Sequence, residues 1–169
     1  MGLFGRSGKE SAHSGAGVST FDALVIGLGN PGKQYARSRH NVGEEVVVEL
    51  ARRNNETLRA SRDSALVAEV RLTGGKRAVL AFPTTFMNES GQSVHLVAEY
   101  YKIEPSDIIV IHDDKDIVLG EIKAQRDRGH AGHNGIRSII DHMGTKDFHR
   151  IRVGVANQKK QEKMDTSDF

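Results

Sequence analysis

Apolar and polar residues alternate along the first half of this chain in runs that predict strands and helices in turn. The apolar run at 22–29, DALVIGLG, is typical of a buried strand, and the sequence NPGKQY after it is turn-forming. Apolar residues then recur at helical spacing from Asn41 to about Asn54. Two further strands, 65–72 and 77–82, are predicted on either side of a Gly-Gly turn. This half of the chain therefore predicts a strand, a helix and a β-hairpin.

The second half continues the alternation. A helix is predicted from about Glu89 to Lys102, a buried strand at 106–114 (SDIIVIHDD), a shorter strand at 121–126, a helix at 134–143 and a last strand at 149–155. Strands that alternate with helices, together with one hairpin, are typical of an α/β protein. We predict a single three-layer α/β domain whose mixed, mostly parallel central sheet is flanked by helices.

Composition narrows the chemistry open to this domain. The 169 residues suffice for one domain with a substantial core, and the absence of cysteine excludes disulfides, thiolate-bound zinc and a thiol nucleophile. Residues 1–21 are rich in glycine, serine and charge, which predicts a disordered tail before a folded domain at 22–169. No apolar run is long enough for a signal peptide or a bilayer span, so we expect a soluble cytoplasmic protein.

Charge is unevenly distributed, although the net charge is only +2. From Gly120 to Lys160 the chain carries nine lysines and arginines against four acids. Such an excess can bind phosphates, but a solvated charged face would have the same composition. The candidates for phosphate contacts are Arg126, Arg128, Arg137, Arg150 and Arg152.

The stretch from Gly27 to Gly32 matches the G-x-G-x-x-G pattern of dinucleotide sites. The match is weak evidence, because Asn30 precedes a proline and the next predicted helix begins about ten residues later. A pyrophosphate at the last glycine would therefore lack the helix N-terminus that normally binds it. A nucleotide-dependent oxidoreductase stays open as an alternative, and stabilisation by NAD would reveal it.

Five polar residues lie in short stretches, punctuated by glycine or proline, where strands should give way to loops: Asn30, His40, Asn88, Asp113 and Asn134. Asp113 ends a predicted buried strand, and open α/β sheets place their sites at the carboxyl ends of strands. A carboxylate that accepts a hydrogen bond from one nitrogen of His40 would leave the other nitrogen able to take a proton from water. No serine or threonine stands in a nucleophile-elbow context, so direct attack by water is the simpler mechanism.

Each of these residues also has an ordinary structural interpretation. A single histidine is often a surface residue or a helix cap, Asn30 could begin a turn, and Asn134 could cap a helix. Alternatively, the three asparagines could grip a peptide backbone or stabilise a developing oxyanion, because an amide offers donors and an acceptor without charge. Composition and spacing leave these alternatives open.

Five segments carry a resemblance to a known family: GLGNPGKQYARSRHNVG, FPTTFMNESGQSV, IHDDKDIVLGEIKAQ, GHAGHNGIRSII and GTKDFHRIRVGV. In this order they resemble the successive motifs of bacterial-type peptidyl-tRNA hydrolases, over roughly Leu24 to Val155. The resemblance implies an enzyme that cleaves the ester between a peptide and the 3′ ribose of tRNA and so recycles tRNA for translation. It also implies a metal-free monomer without a cofactor.

The resemblance implies a role for each matching residue. His40 would be the catalytic histidine, Asp113 the acid that orients it, and Asn134 the residue that holds the catalytic water and helps to stabilise the oxyanion. Asn30 and Asn88 would bind the peptidyl portion and the tRNA 3′ end. The neighbouring cleft residues would be Tyr35, His133 and the two that the sequence alone would assign to the core, Phe86 and Met87.

The chain departs from the family pattern in three places. Glu44 and Glu45 follow the histidine motif where an aromatic residue is common, and Ala131 stands where glycine is usual. The alanine is a mild change unless that position needs a positive φ. The family normally continues beyond Phe169, so its last C-terminal segment is expected to be missing. A non-catalytic RNA-binding relative of the same fold is the alternative to an enzyme, but it would not need the complete set of histidine, aspartate and asparagines.

Overall fold

The structure, a computed structural model, describes residues 19–29 and 41–157. In chain order its strands and helices are β1 (Ala23–Gly27), α1 (Val42–Arg53), β2 (Arg59–Ala60), β3 (Ala65–Arg71), β4 (Arg77–Pro83), α2 (Ser90–Tyr101), β5 (Ile108–Val118), β6 (Ile122–Arg126), α3 (Asn134–Met143) and β7 (His149–Ala156). The predicted alternation of strands and helices is therefore confirmed.

The described strands form one mixed sheet in the order β2-β3-β4-β1-β5-β7-β6. Its centre is parallel, because β1 pairs with β4 and with β5, and β5 pairs with β7. The outer pairings, β2 with β3, β3 with β4 and β6 with β7, are antiparallel. The predicted mixed sheet with a mostly parallel core is confirmed, and the carboxyl ends of β1 and β5 meet at one edge of the sheet.

Helices cover both faces of this sheet. Successive side chains of a strand point to opposite faces, and along β1 the residue Leu24 belongs to one buried cluster and Val25 to the other. The cluster of Leu24 includes Val94 of α2 and Ile139 of α3, whereas the cluster of Val25 includes Val47 of α1. The three-layer arrangement is confirmed, with α1 on one side and the α2–α3 pair on the other.

Two features of the sheet are not predicted by the sequence pattern. The short strand β2 pairs with β3 although both of its residues are exposed. In addition, β5 continues to Val118 instead of ending at the acids, because it goes on pairing with β7. Asp113 therefore lies within a strand. It nevertheless lies beyond Ile111, the last residue of β5 that pairs with β1.

The glycines at the end of β1 allow α1 to pack closely on the sheet. A Cβ atom at Gly27 would lie 2.1 Å from the carbonyl oxygen of Gly43, and one at Gly43 would lie 2.4 Å from the backbone nitrogen of Leu28. The N–H group of Leu28 in turn donates to the carbonyl oxygen of Ile111 at 3.0 Å. As predicted, α1 begins at Val42, well beyond the last glycine of the motif. Helix packing thus accounts for Gly27 without a dinucleotide.

In the described ranges, no helix has both the length and the apolar character needed to cross a bilayer. Most of the tail predicted for residues 1–21 lies outside those ranges, as do residues 158–169. The tail and the domain boundary at residue 22 stay predictions.

Candidate active site

A cavity of about 520 Å³ lies at the edge of the sheet where β1 stops pairing with β5. β5 contributes consecutive residues to its wall, beginning with His112, and the loop before α3 and the start of α3 also line it. Its polar lining residues include Asp113, Asp114, Lys115, Asp116, Arg128, His130, His133, Asn134, Arg150 and Arg152.

The imidazole of His133 links Asp113 to the N-terminus of α3. Its Nε2 atom lies 3.1 Å from Oδ1 of Asp113. Its Nδ1 atom accepts hydrogen bonds from the backbone N–H groups of Gly135 at 3.1 Å and Ile136 at 3.2 Å. Because Nδ1 accepts, the ring hydrogen is on Nε2 and is donated to the carboxylate. His133 is thus held in one neutral tautomer with both ring nitrogens engaged.

His112 is buried directly against this pair. Its ring packs edge-to-face on the ring of His133, with the two centroids 4.5 Å apart, and its Nδ1–H donates to the carbonyl oxygen of Asp113 at 2.8 Å. Burial, and after it the neighbouring His133, lowers the pKa of His112 to about 4. His112 is therefore neutral near pH 7. The sequence pattern does not single this residue out, although it directly precedes two acids in a buried strand.

Asn134 is the first residue of α3, and its exposed side chain lines the cavity. The helix cap is His133, whose ring accepts the amide hydrogens, so the interpretation of Asn134 as a cap is wrong. The next residue, Gly135, is buried and packs closely against Met87. A Cβ atom at this position would lie only 2.6 Å from Sδ of Met87. This close contact holds the start of α3 in place and leaves the amide of Asn134 at the cavity.

The predicted residues of the segment 86–88 differ in their relation to the cavity. Met87 lines it and packs against the hydrophobic core. Phe86 is 60 % exposed, so its interpretation as a core residue is wrong. Asn88 is also exposed, and neither Phe86 nor Asn88 is among the residues that line the cavity.

Three predicted site residues, Asn30, Tyr35 and His40, lie outside the described residues. The residues that flank this segment are placed next to each other. Asn41 is only 2 % exposed, and a Cβ at Gly29 would lie 3.1 Å from its Oδ1 atom. The roles of the three residues stay predictions.

Two of the five candidate arginines are paired with carboxylates. Nε of Arg152 donates to Oδ2 of Asp114 at 2.6 Å, in a pair that is mostly buried. Nε of Arg126 donates to Oδ1 of Asp147 at 2.8 Å on the protein surface. A phosphate at either arginine would have to compete with the carboxylate.

The other three candidate arginines differ in burial. Arg128 and Arg137 are exposed, and Arg128 lines the cavity whereas Arg137 does not. Arg150 also lines the cavity but is only 2 % exposed. The charged stretch is therefore not one uniform solvated face.

The loop before α3 contains the departure from the family pattern at Ala131. Ala131 has a φ of +48°, and the following Gly132 has a φ of +82°. A positive φ is costly for a residue with a Cβ atom, so this position does favour glycine. The loop is closed locally by the N–H group of Gly132, which donates to Nδ1 of His130 at 2.9 Å.

Residues 19–29 and 41–157 contain no group of three or more His, Asp or Glu side chains arranged to bind a metal ion. The cavity instead presents carboxylates, imidazoles, side-chain amides and guanidinium groups. Such groups can orient a water molecule and stabilise negative charge.

Comparison with known proteins identifies similar sequences over most of the chain. The family model of peptidyl-tRNA hydrolase matches residues 24–169. The peptidyl-tRNA hydrolase of Frankia alni is 49 % identical over 146 residues, which cover 86 % of this chain and 73 % of that protein. The peptidyl-tRNA hydrolase of Francisella tularensis subsp. tularensis is 44 % identical over 142 residues, which cover 83 % of this chain and 74 % of that protein.

Solved structures share the fold. The crystal structure of peptidyl-tRNA hydrolase from Acinetobacter baumannii matches with a TM-score of 0.77 and 36 % identity, over 89 % of this chain and 76 % of that one. The crystal structure of a peptidyl-tRNA hydrolase in complex with N-propanol matches with a TM-score of 0.76 and 36 % identity, over 85 % of this chain and 73 % of that one. Similarity in sequence and similarity in fold thus each extend over more than four-fifths of the chain.

Proposed function

This chain belongs to the peptidyl-tRNA hydrolase family, and we propose the residues with which it hydrolyses peptidyl-tRNA. The reaction separates the peptide from the tRNA by cleaving the ester that joins them. One observation supports the assignment of residues more than any other: Asp113, His133 and Asn134 line a single cavity, and the first two are hydrogen-bonded.

His40 is the general base in this proposal. Two imidazoles contact Asp113, but His133 has both ring nitrogens in hydrogen bonds. The other, His112, is a weak base near neutral pH because its pKa is about 4. Neither is suited to take a proton from water. His40 stands in the histidine motif of the family, and Asp113 would orient it.

The residues that follow His40 support this pairing. Gly43 packs against β5, since a Cβ atom there would lie 2.5 Å from the carbonyl oxygen of Ile111. Ile111 is two residues from Asp113, so α1 begins at the edge of the sheet that carries the carboxylate. A carboxylate has two oxygens and can accept hydrogen bonds from two imidazoles. The bond from His133 is therefore compatible with one from His40.

Water is the nucleophile in the proposed reaction. His40 takes a proton from the water, and the water oxygen attacks the carbonyl carbon of the ester. The amide of Asn134 would hold this water and donate to the carbonyl oxygen as negative charge develops on it. The bond from that carbon to the ribose oxygen then breaks, and the proton passes from His40 to the ribose oxygen. The products are a peptide carboxylic acid, which loses its proton to the solvent, and a tRNA with a free 3′-hydroxyl group.

The remaining residues of the set would bind the two parts of the substrate. Asn30 and Asn88 would bind the peptidyl portion and the tRNA 3′ end, with Tyr35 and Met87 beside them. Phe86 is 60 % exposed, so its ring is accessible for packing against the substrate.

The arginines of the candidate set would bind tRNA phosphates. Arg128 and Arg137 are exposed and carry no carboxylate partner in the described part of the chain, which favours them over the ion-paired Arg126 and Arg152. Each phosphate contact makes binding more sensitive to salt. We therefore expect KM for peptidyl-tRNA to rise steeply with ionic strength, and a KM that does not respond to salt would contradict this assignment.

We further propose that the protein acts as a monomer in the cytoplasm, where translation produces its substrate. The proposed chemistry uses only protein groups and water. Light scattering after gel filtration should give the mass of one chain, and activity should persist in EDTA.

Ester cleavage with two substrates tests the proposed function. The purified chain is incubated with an N-acetylated aminoacyl-tRNA and with the same aminoacyl-tRNA unblocked, and release of the labelled amino acid is followed. We expect cleavage of the blocked substrate with a strong preference over the unblocked one. If the parent chain cleaves neither, the proposal is wrong for this chain.

Two histidine variants test the base in the same assay. His40→Ala should lose at least roughly 10²-fold in kcat, the usual contribution of a general base. His95→Ala removes an exposed histidine of α2 and should retain the parent rate. A His40→Ala protein that hydrolyses the substrate at the parent rate would exclude His40 as the base.

A further inference from the structure

Arg150 lies on β7 with its guanidinium group buried in the wall of the cavity. Its Cζ atom lies 4.2 Å from the ring centre of Phe148, and its Nη2 donates to the carbonyl oxygen of Lys146 at 3.2 Å. Nε and Nη1 are shielded from solvent and have no hydrogen-bond partner among the residues that the structure describes. Two nitrogens of a buried cation are thus unsatisfied.

Unsatisfied donors of this kind are uncommon, because a buried polar group without a partner destabilises the fold. Buried arginines are usually paired with carboxylates, yet Arg150 forms no ion pair with any carboxylate in residues 19–29 and 41–157. Burial lowers the pKa of Arg150, while the charge of Asp127 acts in the opposite direction. An anionic ligand would supply the missing partner.

The surrounding cavity favours an anion at this point. Arg128 lines the same cavity and adds a second guanidinium group. Two of the cavity's carboxylates already accept from other side chains, Asp114 from Arg152 at 2.6 Å and Asp113 from His133 at 3.1 Å. These two acids therefore do not neutralise Arg128 and Arg150.

We propose that Arg150 is a buried phosphate-binding residue that donates from its unpaired nitrogens to one phosphodiester of the RNA strand of the substrate. This inference rests on the proposed function, because its ligand is the RNA part of peptidyl-tRNA. A guanidinium group is always charged and well matched to phosphate oxygens. Side-chain rotamers often change on binding, so the side chains that shield Nε and Nη1 can move to admit the strand.

Binding of a short single-stranded RNA that ends in CCA, measured by fluorescence anisotropy at several salt concentrations, tests this proposal. Arg150→Met removes the charge and keeps an unbranched side chain. The matched control is Arg59→Met, which removes an exposed arginine from β2 at the far edge of the sheet.

We expect Arg150→Met to weaken RNA binding roughly tenfold, the effect of losing one charged hydrogen bond. The slope of log K against log salt should decrease by about 0.7, the value for one phosphate contact on a single strand. Arg59→Met should leave both quantities near their parent values. Because it removes unsatisfied donors, Arg150→Met should also melt at or above the temperature of the parent.

A measurement on the unmodified chain tests the proposal even if Arg150→Met does not fold. In heteronuclear NMR, the Nε–H signal of Arg150 should shift when the RNA is added, since a new acceptor binds there. Unchanged affinity and salt slope in a folded Arg150→Met would assign Arg150 a purely structural role and overturn the proposal. An Nε–H signal that does not respond to RNA would do the same.

A titration with inorganic phosphate distinguishes a phosphodiester of the RNA from free phosphate as the ligand of Arg150. We expect the RNA to shift the Arg150 signal at far lower concentrations than inorganic phosphate does. Equal effectiveness would make free phosphate the ligand and would overturn the assignment to the substrate. None of these measurements uses ester cleavage, so the assay with N-acetylated aminoacyl-tRNA tests the proposed function separately.

Discussion

The Nε2 atom of His133 donates to Oδ1 of Asp113 across 3.1 Å, while Nδ1 of the same ring caps α3. One side chain thus holds both the carboxylate of the cavity and the helix that begins with Asn134. We interpret His133 as a positioning residue, because neither of its nitrogens is available to the substrate.

Two substitutions separate the capping role of His133 from its bond to Asp113. Asparagine is a good N-cap but is too short to reach the carboxylate, so His133→Asn should lose the bond and keep the cap. The loss of a hydrogen bond to a charged group should lower kcat roughly 10- to 100-fold. His133→Ala should in addition lower the free energy of unfolding by about 1 kcal/mol. If His133→Asn retained the parent kcat, the bond to Asp113 would not contribute to catalysis, and His133 would serve only as a helix cap.

The stability of the fold should decrease in acid because His112 is buried in its neutral form. Its pKa is about 4 in the folded protein and about 6.5 in an unfolded chain, so the unfolded chain binds more protons between these values. The free energy of unfolding should therefore fall as the pH is lowered from about 6.5 to about 4. The shift in the pKa of His112 corresponds to about 3 kcal/mol over the whole range.

Denaturant unfolding at several pH values measures this contribution. His112→Asn retains a donor for the carbonyl oxygen of Asp113 and should flatten the acid dependence. Partial burial also lowers the pKa of His149, which accounts for a remaining slope. The exposed His95 offers a control, and His95→Asn should behave like the parent. If the free energy of unfolding of His112→Asn fell in acid as steeply as that of the parent, the proposal that His112 is buried as a neutral ring would be contradicted.

Replacing Gly43 with alanine should destabilise the protein, although the same replacement in an ordinary helix is stabilising. Gly→Ala inside a helix normally stabilises by about 0.5–1 kcal/mol. At Gly43 the new Cβ would lie 2.4 Å from the nitrogen of Leu28 and 2.5 Å from the carbonyl oxygen of Ile111. These are backbone atoms that cannot rotate away, so we expect a loss of about 2–3 kcal/mol. Val48→Ala on the exposed face of α1 should be nearly neutral, and a stabilising Gly43→Ala would show that α1 does not approach β1 so closely.

Glycine at position 131 should stabilise the loop before α3. Ala131 has a φ of +48°, and a left-handed backbone costs a residue with a Cβ atom about 1–2 kcal/mol. We expect Ala131→Gly to raise the free energy of unfolding by about 1 kcal/mol. Ala60→Gly in the exposed strand β2 should lower it, since glycine weakens a strand. If Ala131→Gly lowered the free energy of unfolding as Ala60→Gly does, the positive φ of Ala131 would be contradicted.

The apolar pattern predicts the helices and central strands because each has one clear period. Strand β1 is a continuous buried run, and α3 has buried residues on one face only, so the predicted boundaries lie within two residues of those observed. β2 is not predicted because its two exposed residues have no pattern and depend on pairing with β3. The end of β5 is not predicted because it depends on pairing with β7, which lies far along the chain.

The residue types at the site are easier to predict than their partners. Asp113 and Asn134 can be selected from the sequence because polar residues follow buried strands or precede helices there. The bond from His133 to Asp113 joins residues twenty positions apart and depends on how the loop before α3 folds. The burial of Arg150 likewise depends on the packing of β7 between β5 and β6.

The central claim is that His40 and Asp113 act as one unit on the attacking water. Its most direct test is the kcat of the parent, His40→Ala, Asp113→Ala and the double variant with N-acetylated aminoacyl-tRNA as substrate. Each single variant should lose at least roughly 10²-fold, and the double variant should be within about threefold of the slower single variant, because residues that act as a unit are not additive. Losses that multiply in the double variant would mean that the two side chains work independently, which would contradict the account.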